Sequence, residues 1–440
     1  MASRHAGPSR RRLLWIIGGA LTALALLAVF RLALRPATDD PLDQQGRRFV
    51  ELALALGQTD TKEVDTYFGP DALRPKADQP ARTLDGLQRD LTTLARDIAK
   101  DPASDRRTRL ADRISRLLAL IETIRTPHAA SFDDEARRVY AIDPVPVDAA
   151  AMTAARSELA RLLPGSAPLA ERVDAFRARY VIPEDKRAAM FARALAECRR
   201  RTRAHWRLPA AERLDVEWTS TVDSAWHRYR GNYRSQLQIN PQAVAFLSSA
   251  LDVACHEGYP GHHAQFVVQE MAAQPAGLPI EDKIVLLRSP DSMFREGAAN
   301  YGVDLAFPPA DRLAFERDIL FPLAGFSPSE AERFEKVRAL IDKVAPATAP
   351  ILRDYCDGRL SPGAAAAALQ RDALVSSPQA LLGFVDALGP YALGYTVARE
   401  WVASRVAQAA GGGDRWQVLR AYSEKVGIKP RNLSKLKEKQ

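Results

Sequence analysis

Pro260-Gly261 sits inside the densest histidine cluster of the chain and decides what that cluster can become. The eight residues His256-Glu257-Gly258-Tyr259-Pro260-Gly261-His262-His263 hold three of the seven histidines in 440 residues. Histidine is the commonest protein metal ligand, and a glutamate beside a metal site is the usual base of metal-assisted hydrolysis. On an unbroken helix two ligands four apart share a face. Here the position four after His256 is Pro260. At about 100° per residue His262 lies roughly 240° around an ideal helix from His256. His263 shares the face of His256 but lies about 10 Å further along the axis, at about 1.5 Å per residue. Neither placement suits one ion approached to about 2 Å by each imidazole. Proline removes a helical hydrogen bond and glycine tolerates unusual dihedrals, so a kink or bulge at Pro260-Gly261 can return His262 toward His256. Whether His262 or His263 completes the pair stays open at this level.

The residues before the cluster alternate. Tyr229, Gly231, Tyr233, Ser235, Leu237 and Ile239 lie on one side, with Arg230, Asn232, Arg234, Gln236 and Gln238 on the other. That period of two predicts a half-buried strand or hairpin. Asn240-Pro241 then supplies an N-cap and a proline at the first helical position. Val244, Leu247, Leu251 and Ala254 continue at helical spacing to His256. The motif is therefore expected on a buried helix just after a short strand. A free strand edge there would bind an extended peptide by main-chain pairing, whereas a plain hairpin would serve structure only.

The rest of the chain reads as mainly α. Apolar residues at helical spacing predict helices at 43–56, 83–100, 105–125, 148–163, 168–179 and 184–204. After Glu296 they predict 310–318, 328–343, 347–356, 362–374, 377–387, 391–409 and 415–425. Gly411-Gly412-Gly413-Asp414 supplies a C-cap, a turn and an N-cap between the last two. With 47% hydrophobic residues, a chain of this length buries a large core.

The N-terminus stands apart. Leu13 to Phe30 is uncharged and largely apolar, preceded by Arg4 and Arg10-Arg11-Arg12. We expect a basic cytoplasmic tail at 1–12, a transmembrane signal anchor at 13–34, a linker at 35–42 and a helical domain at 43–440. This places the body outside the cytoplasm, on a single-pass inner-membrane anchor. No cysteine near the run supports lipoprotein attachment.

The net charge of +8 is concentrated at the two ends. Residues 1–35 hold six arginines and no acid, and 429–440 hold five basic residues and one acid. A near-neutral body argues against nucleic acid as a partner, which would want a broad basic face. Cys198, Cys255 and Cys356 have neither zinc-ribbon nor redox spacing. Of the possible disulfides, Cys198–Cys356 is the pair that leaves the histidine motif alone, and Cys255 reads as a small buried apolar residue.

The string His-Glu-Gly-Tyr-Pro-Gly-His-His-Ala-Gln (256–265), followed by Arg-Glu-Gly-Ala-Ala-Asn-Tyr-Gly (295–302), resembles the bacterial domain of unknown function 885 family. Members carry His-Glu-x-x-Pro-Gly-His-x-x-Gln, then a segment like Glu-Gly-Trp-Ala-Leu-Tyr, and later Tyr-x-x-Gly, matched here by Tyr391 to Gly394. The resemblance implies a helical zinc-metallopeptidase-like fold across about residues 45–440. It implies metal ligands His256, His262 and Glu296, with Glu257 as the base. The chain departs from the family at Ala298, in place of its tryptophan, at Asn300, in place of its leucine, and at Val303, in place of an acid that comes one residue late as Asp304. These changes bear on the pocket lining, not on the ligand set.

Other residues are weighed beside that set. Asn300 lies four residues after Glu296, and Asp252 four before His256. Each is placed either to orient its ligand from behind or to lie solvated. Tyr391 and Tyr395 are candidates to donate to the oxyanion formed when water attacks a carbonyl, and the resemblance favours Tyr391. Tyr301 lies one helical turn beyond Glu296. Arg295 and Arg399 read either as partners of a substrate carboxylate or as ordinary salt bridges. His205 and His227 carry no ligand spacing. The expectation is a membrane-anchored hydrolase using Zn²⁺, acting on a peptide or small amide substrate. The competing class is a non-catalytic anchored binding or scaffold protein that keeps the fold.

Overall fold

The computed structural model describes residues 40–126, 129–144 and 147–425. The expected membrane anchor and the basic tail lie outside the described residues. Within them the chain is mainly α. The first helix runs Pro41–Thr59: Asp40 accepts a hydrogen bond from the Leu42 amide (3.1 Å) and Pro41 takes the first helical position. Pro41 and Leu42, expected in the linker, are thus its first turn.

The segments expected at 83–100, 105–125, 148–163, 168–179 and 184–204 are the helices Leu84–Ile98, Asp105–Arg125, Ala149–Leu162, Leu169–Ala178 and Glu184–His205. Those expected from 310 to 387 are Pro309–Phe315, Ala331–Val344, Thr348–Cys356, Pro362–Ala373 and Pro378–Leu388. The helix expected at 391–409 begins only at Val397 (Val397–Ala410), because Gly389–Tyr395 forms a tighter 3-10 segment. It ends on left-handed Gly411, and Asp414 caps the last helix, Arg415–Ser423, by accepting from the Trp416 amide. The short helix Phe132–Val139, capped by Ser131, was not anticipated.

The strands are β1 (Val64–Tyr67), β2 (Arg213–Trp218), β3 (Ala225–Gly231), β4 (Arg234–Ile239) and β5 (Ile284–Leu286). β1 pairs antiparallel with β5, and the other three form a sheet of order β2-β4-β3. The alternating run at 229–239, expected as a strand or hairpin, is a hairpin. Asn232 and Tyr233 both take positive φ (52° and 62°), the two-residue turn that suits right-twisted strands. A register shift between Tyr229 and Gly231 offsets the parity change at the turn. Odd-numbered residues therefore stay on the more buried side throughout, which is why the alternation ran unbroken through a chain reversal. β4 is central, so the sheet's free edge on this hairpin belongs to β3.

Three buried apolar clusters border one helix, Pro290–Ala306. It gives Phe294, Ala298 and Val303 to the largest cluster and Met293 to the one formed with the C-terminal helices. β5, which leads into it, belongs to the N-terminal cluster. Each large apolar side chain so buried stabilises the fold by about 1.5–3 kcal/mol. A helix buried on nearly every side is a rigid mount, and this one carries Glu296.

Candidate metal centre

The histidine motif is two helices, not one kinked helix. The first, Leu247–Glu257, stops at Gly258, and the chain turns through a cis Tyr259–Pro260 bond before the second, His262–Ala272, begins. Gly261 makes the turn possible: a Cβ there would lie 1.7 Å from the carbonyl oxygen of His256. Its amide instead donates to the Cys255 carbonyl (3.1 Å). The reversal brings the rings of His256 and His262 together, centroids 4.7 Å apart. His263 points elsewhere. It is fully buried, with Nδ1 2.7 Å from Ser235 Oγ and Nε2 3.0 Å from Glu212 Oε2.

Glu296 reaches this pair from the central helix. Its Oε2 lies 3.4 Å from His256 Nε2 and its Oε1 3.3 Å from His262 Nε2. Three ligands holding one ion at about 2.0–2.1 Å in tetrahedral geometry stand about 3.3 Å from one another. Glu296 Oε2 is buried and has no hydrogen-bond partner. An orphaned carboxylate oxygen at the ligand-to-ligand spacing of a tetrahedral site fits a divalent cation better than it fits a hydrogen-bonded cluster. The ligating atoms of His256, Glu257 and His262 also lie within 4.8 Å of one another. Glu257 therefore stands beside the same histidine pair that Glu296 spans.

Supporting contacts orient two of these side chains, His256 and Glu296. Asn300 Nδ2 donates to the Glu296 carbonyl (2.9 Å), which turns its Oδ1 toward His256 Nδ1 at 3.2 Å. Nδ1 must then carry a proton, which leaves Nε2 as the ring nitrogen that faces Glu296. Asn300 thus serves His256, not the Glu296 carboxylate. Tyr391 donates its hydroxyl to Glu296 Oε1 (2.9 Å). Gly394 closes that side, since a Cβ there would come within 3.0 Å of the Glu296 stem.

The local electrostatics favour positive charge. Burial opposes a charged His256, yet Glu296 and Glu257 hold its imidazole up to about 9. Burial would raise Glu296, but His262 and His256 keep it ionised well below the usual carboxylate range. Two residues without a sequence signal join the site. Asp65, on β1, is raised to about 6 by burial; His262 and a hydrogen bond with Trp226 oppose the rise, while Glu296 and Glu257 add to it. His227, on β3, has its ring 6.0 Å from that of His262 and is held neutral by burial and by its histidine neighbours. Tyr395 lies alongside His256 with ring centroids 6.4 Å apart, remains 45% exposed and makes no hydrogen bond among the described residues.

The remaining candidates go to structure. Asp252 pairs with Arg312 (2.7 Å) and does not touch His256. Arg399 pairs with Asp304 (2.7 Å), and Arg295 is buried over the Phe266 ring with a bond to Gln269. Tyr301 faces Arg415 of the last helix. His205 stacks on Trp416. The expected Cys198–Cys356 pairing is incorrect: Cys198 bonds Cys255, Cα atoms 5.4 Å apart, and Cys356 is free. Cys255 faces the neighbouring helix Glu184–His205, so a disulfide braces the helix immediately before His256.

No protein-family model and no curated protein matches the chain. Among solved structures it is similar to "the putative lipoprotein from Colwellia psychrerythraea", at 13% identity, with 80% of this chain and 69% of that one covered and a TM-score of 0.50. It also matches a "putative lipoprotein of unknown function from Shewanella oneidensis", at 13% identity, covering 80% and 71%, with a TM-score of 0.46. At this identity the first likeness concerns the fold alone.

Proposed function

We propose that this chain is a zinc-dependent hydrolase, most simply a peptidase, in which His256, His262 and Glu296 hold the ion. The observation that carries the reading is the Glu296 carboxylate spanning both Nε2 atoms at 3.3 and 3.4 Å, with Glu257 next to them. The resemblance to the domain of unknown function 885 family supports the same ligand set. A zinc ion bound there would polarise a carbonyl and acidify water. Glu257 takes the proton of the attacking water and returns it to the leaving amine. Tyr391 is occupied with Glu296, so its role shifts to holding that carboxylate. Tyr395, whose hydroxyl is unengaged, becomes the donor to the developing oxyanion. Partial burial and then the carboxylates of Glu296, Glu257 and Asp65 keep that hydroxyl protonated, as a donor must be.

The disulfide beside the motif supports an oxidising compartment, in keeping with an N-terminal anchor and an extracytoplasmic body. The test is metal content by mass spectrometry on the purified chain, followed by a peptide-library screen of wild type against Glu257→Gln. About one zinc per chain, with cleavage lost in Glu257→Gln and the metal retained, is expected. A wild type that takes up no zinc would sink the hydrolase and leave an anchored binding protein as the better account.

A further inference from the structure

Glu212 lies outside the histidine motif, immediately before β2, yet its buried carboxylate gathers the histidine turn. Its Oε2 accepts from the Tyr259 hydroxyl at 2.8 Å and lies 3.0 Å from Nε2 of His263. Tyr259 comes just before Pro260 and His263 just after His262, so both ends of the turn meet at one oxygen atom. Its Oε1 accepts from Arg199 Nε (2.9 Å) and Nη2 (2.7 Å) and from Arg203 Nη2 (2.9 Å). Both arginines belong to the helix Glu184–His205, which also carries Cys198, the disulfide partner of Cys255. That helix therefore holds the motif covalently before His256 and through Glu212 on either side of His262. The Pro260 ring in turn packs against Gly302 of the helix that carries Glu296, where a Cβ would lie within 2.9 Å of it.

A buried carboxylate is a poor means of stabilising a loop. Ion pairing recovers little more than the cost of taking the charge out of water, and well-packed apolar side chains would do as well. What a charged acceptor adds is direction, because bonds to a carboxylate are shorter and stronger than those between neutral groups. Direction matters at this turn. His262 and His263 open the same helix, about 100° apart around its axis. Once the His263 ring is fixed between Glu212 and Ser235, the rotation of that first turn is set, and His262 faces Glu296 at 3.3 Å. Resting on the hydrolase reading above, we propose that Glu212 is a positioning residue for the metal centre, setting the aim of His262 through two arms, Tyr259 and His263.

Zinc affinity of the full chain in detergent, measured by chelator competition, tests this role. Glu212→Asp keeps the charge but withdraws the carboxylate by one methylene. It should weaken zinc binding about 10–100-fold and alter the visible bands of the cobalt-substituted protein, with the circular dichroism unchanged. Tyr259→Phe and His263→Ala each leave one arm in place and should shift affinity by less than about threefold, whereas the double variant should fall to the level of Glu212→Asp. Leu159→Ala, a cavity in the same apolar cluster, is the control for lost stability and should bind zinc as wild type does. Near-wild-type affinity in Glu212→Asp or in the double variant would overturn the proposal, as would an equal loss in Leu159→Ala. A wild type that takes up no zinc overturns the hydrolase reading instead, and Glu212 is then decided by crystal structures of metal-free wild type and Glu212→Asp. His262 Nε2 displaced relative to Glu296 by more than about 0.5 Å supports the positioning role, and an unmoved ring overturns it.

Discussion

The amide oxygen of Asn300 accepts from Nδ1 of His256 at 3.2 Å, while the amide nitrogen of Asn300 is tied to the Glu296 carbonyl at 2.9 Å. One residue therefore sets the tautomer of His256 from the same helix that carries Glu296. A leucine at this position, as in the resembling family, would remove that control. Asn300→Leu should weaken zinc binding about 10–100-fold while leaving the fold intact, as read by chelator competition beside circular dichroism. An unchanged affinity would remove Asn300 from the site.

His262 and His263 are adjacent but have separate tasks. His262→Ala should empty the metal site with little loss of stability. His263→Ala should keep the metal and cost about 2–3 kcal/mol, because Ser235 and Glu212 lose a buried partner. Metal content and denaturant midpoints of both variants check the split.

Tyr391→Phe removes the hydrogen bond to Glu296 Oε1, and Tyr395→Phe removes an unengaged hydroxyl. The first should lower zinc affinity by about tenfold. The second should leave affinity unchanged and lower kcat about 10²-fold with KM little altered. Reversal of that pattern would return the oxyanion role to Tyr391.

Thiol chemistry tests the pairing of cysteines. Burial, then Glu135, Asp357 and Asp386, push the Cys356 thiol up to about 12, so little thiolate exists at pH 8. Iodoacetamide should leave the native chain almost unlabelled, label one cysteine on unfolding and label three only after reduction. Loss of the Cys198–Cys255 bond, which closes a separation of 57 residues, should cost about 4 kcal/mol by the chain-entropy argument.

Glu63 supplies a pH signature away from the site. Arg288 Nε donates to it at 2.9 Å, but the same guanidinium also serves Asp60, and burial pushes Glu63 up to about 7. A raised carboxylate binds more protons folded than unfolded. Its stabilising contribution is complete below about pH 4.5 and is lost as pH rises through about 7. The stability of wild type relative to Glu63→Gln should therefore fall by about 1–3 kcal/mol between pH 4.5 and 8 in urea titrations. A difference that is flat with pH would show Glu63 to be an ordinary ionised partner of Arg288.

Much of this protein was legible in one dimension because its information is local. Helical periodicity located nearly every helix, since an amphipathic stripe is written at intervals of three and four residues. Pro260-Gly261 announced a break, since proline cannot continue a helix and glycine alone fits against the His256 carbonyl. The charged ends and near-neutral body are matters of composition. Tertiary structure decided what depends on distant chain segments meeting. It separated His262 from His263, because Ser235 and Glu212 were waiting for the latter. It joined Cys198 to Cys255, because helix packing, and not distance from the motif, sets which cysteines meet. It gave Asp252 to Arg312 and Tyr391 to Glu296. It brought Asp65 and His227 to the cleft from strands that carry no motif, since a side chain's aim depends on bulge and register, and register is settled only by the partner strand.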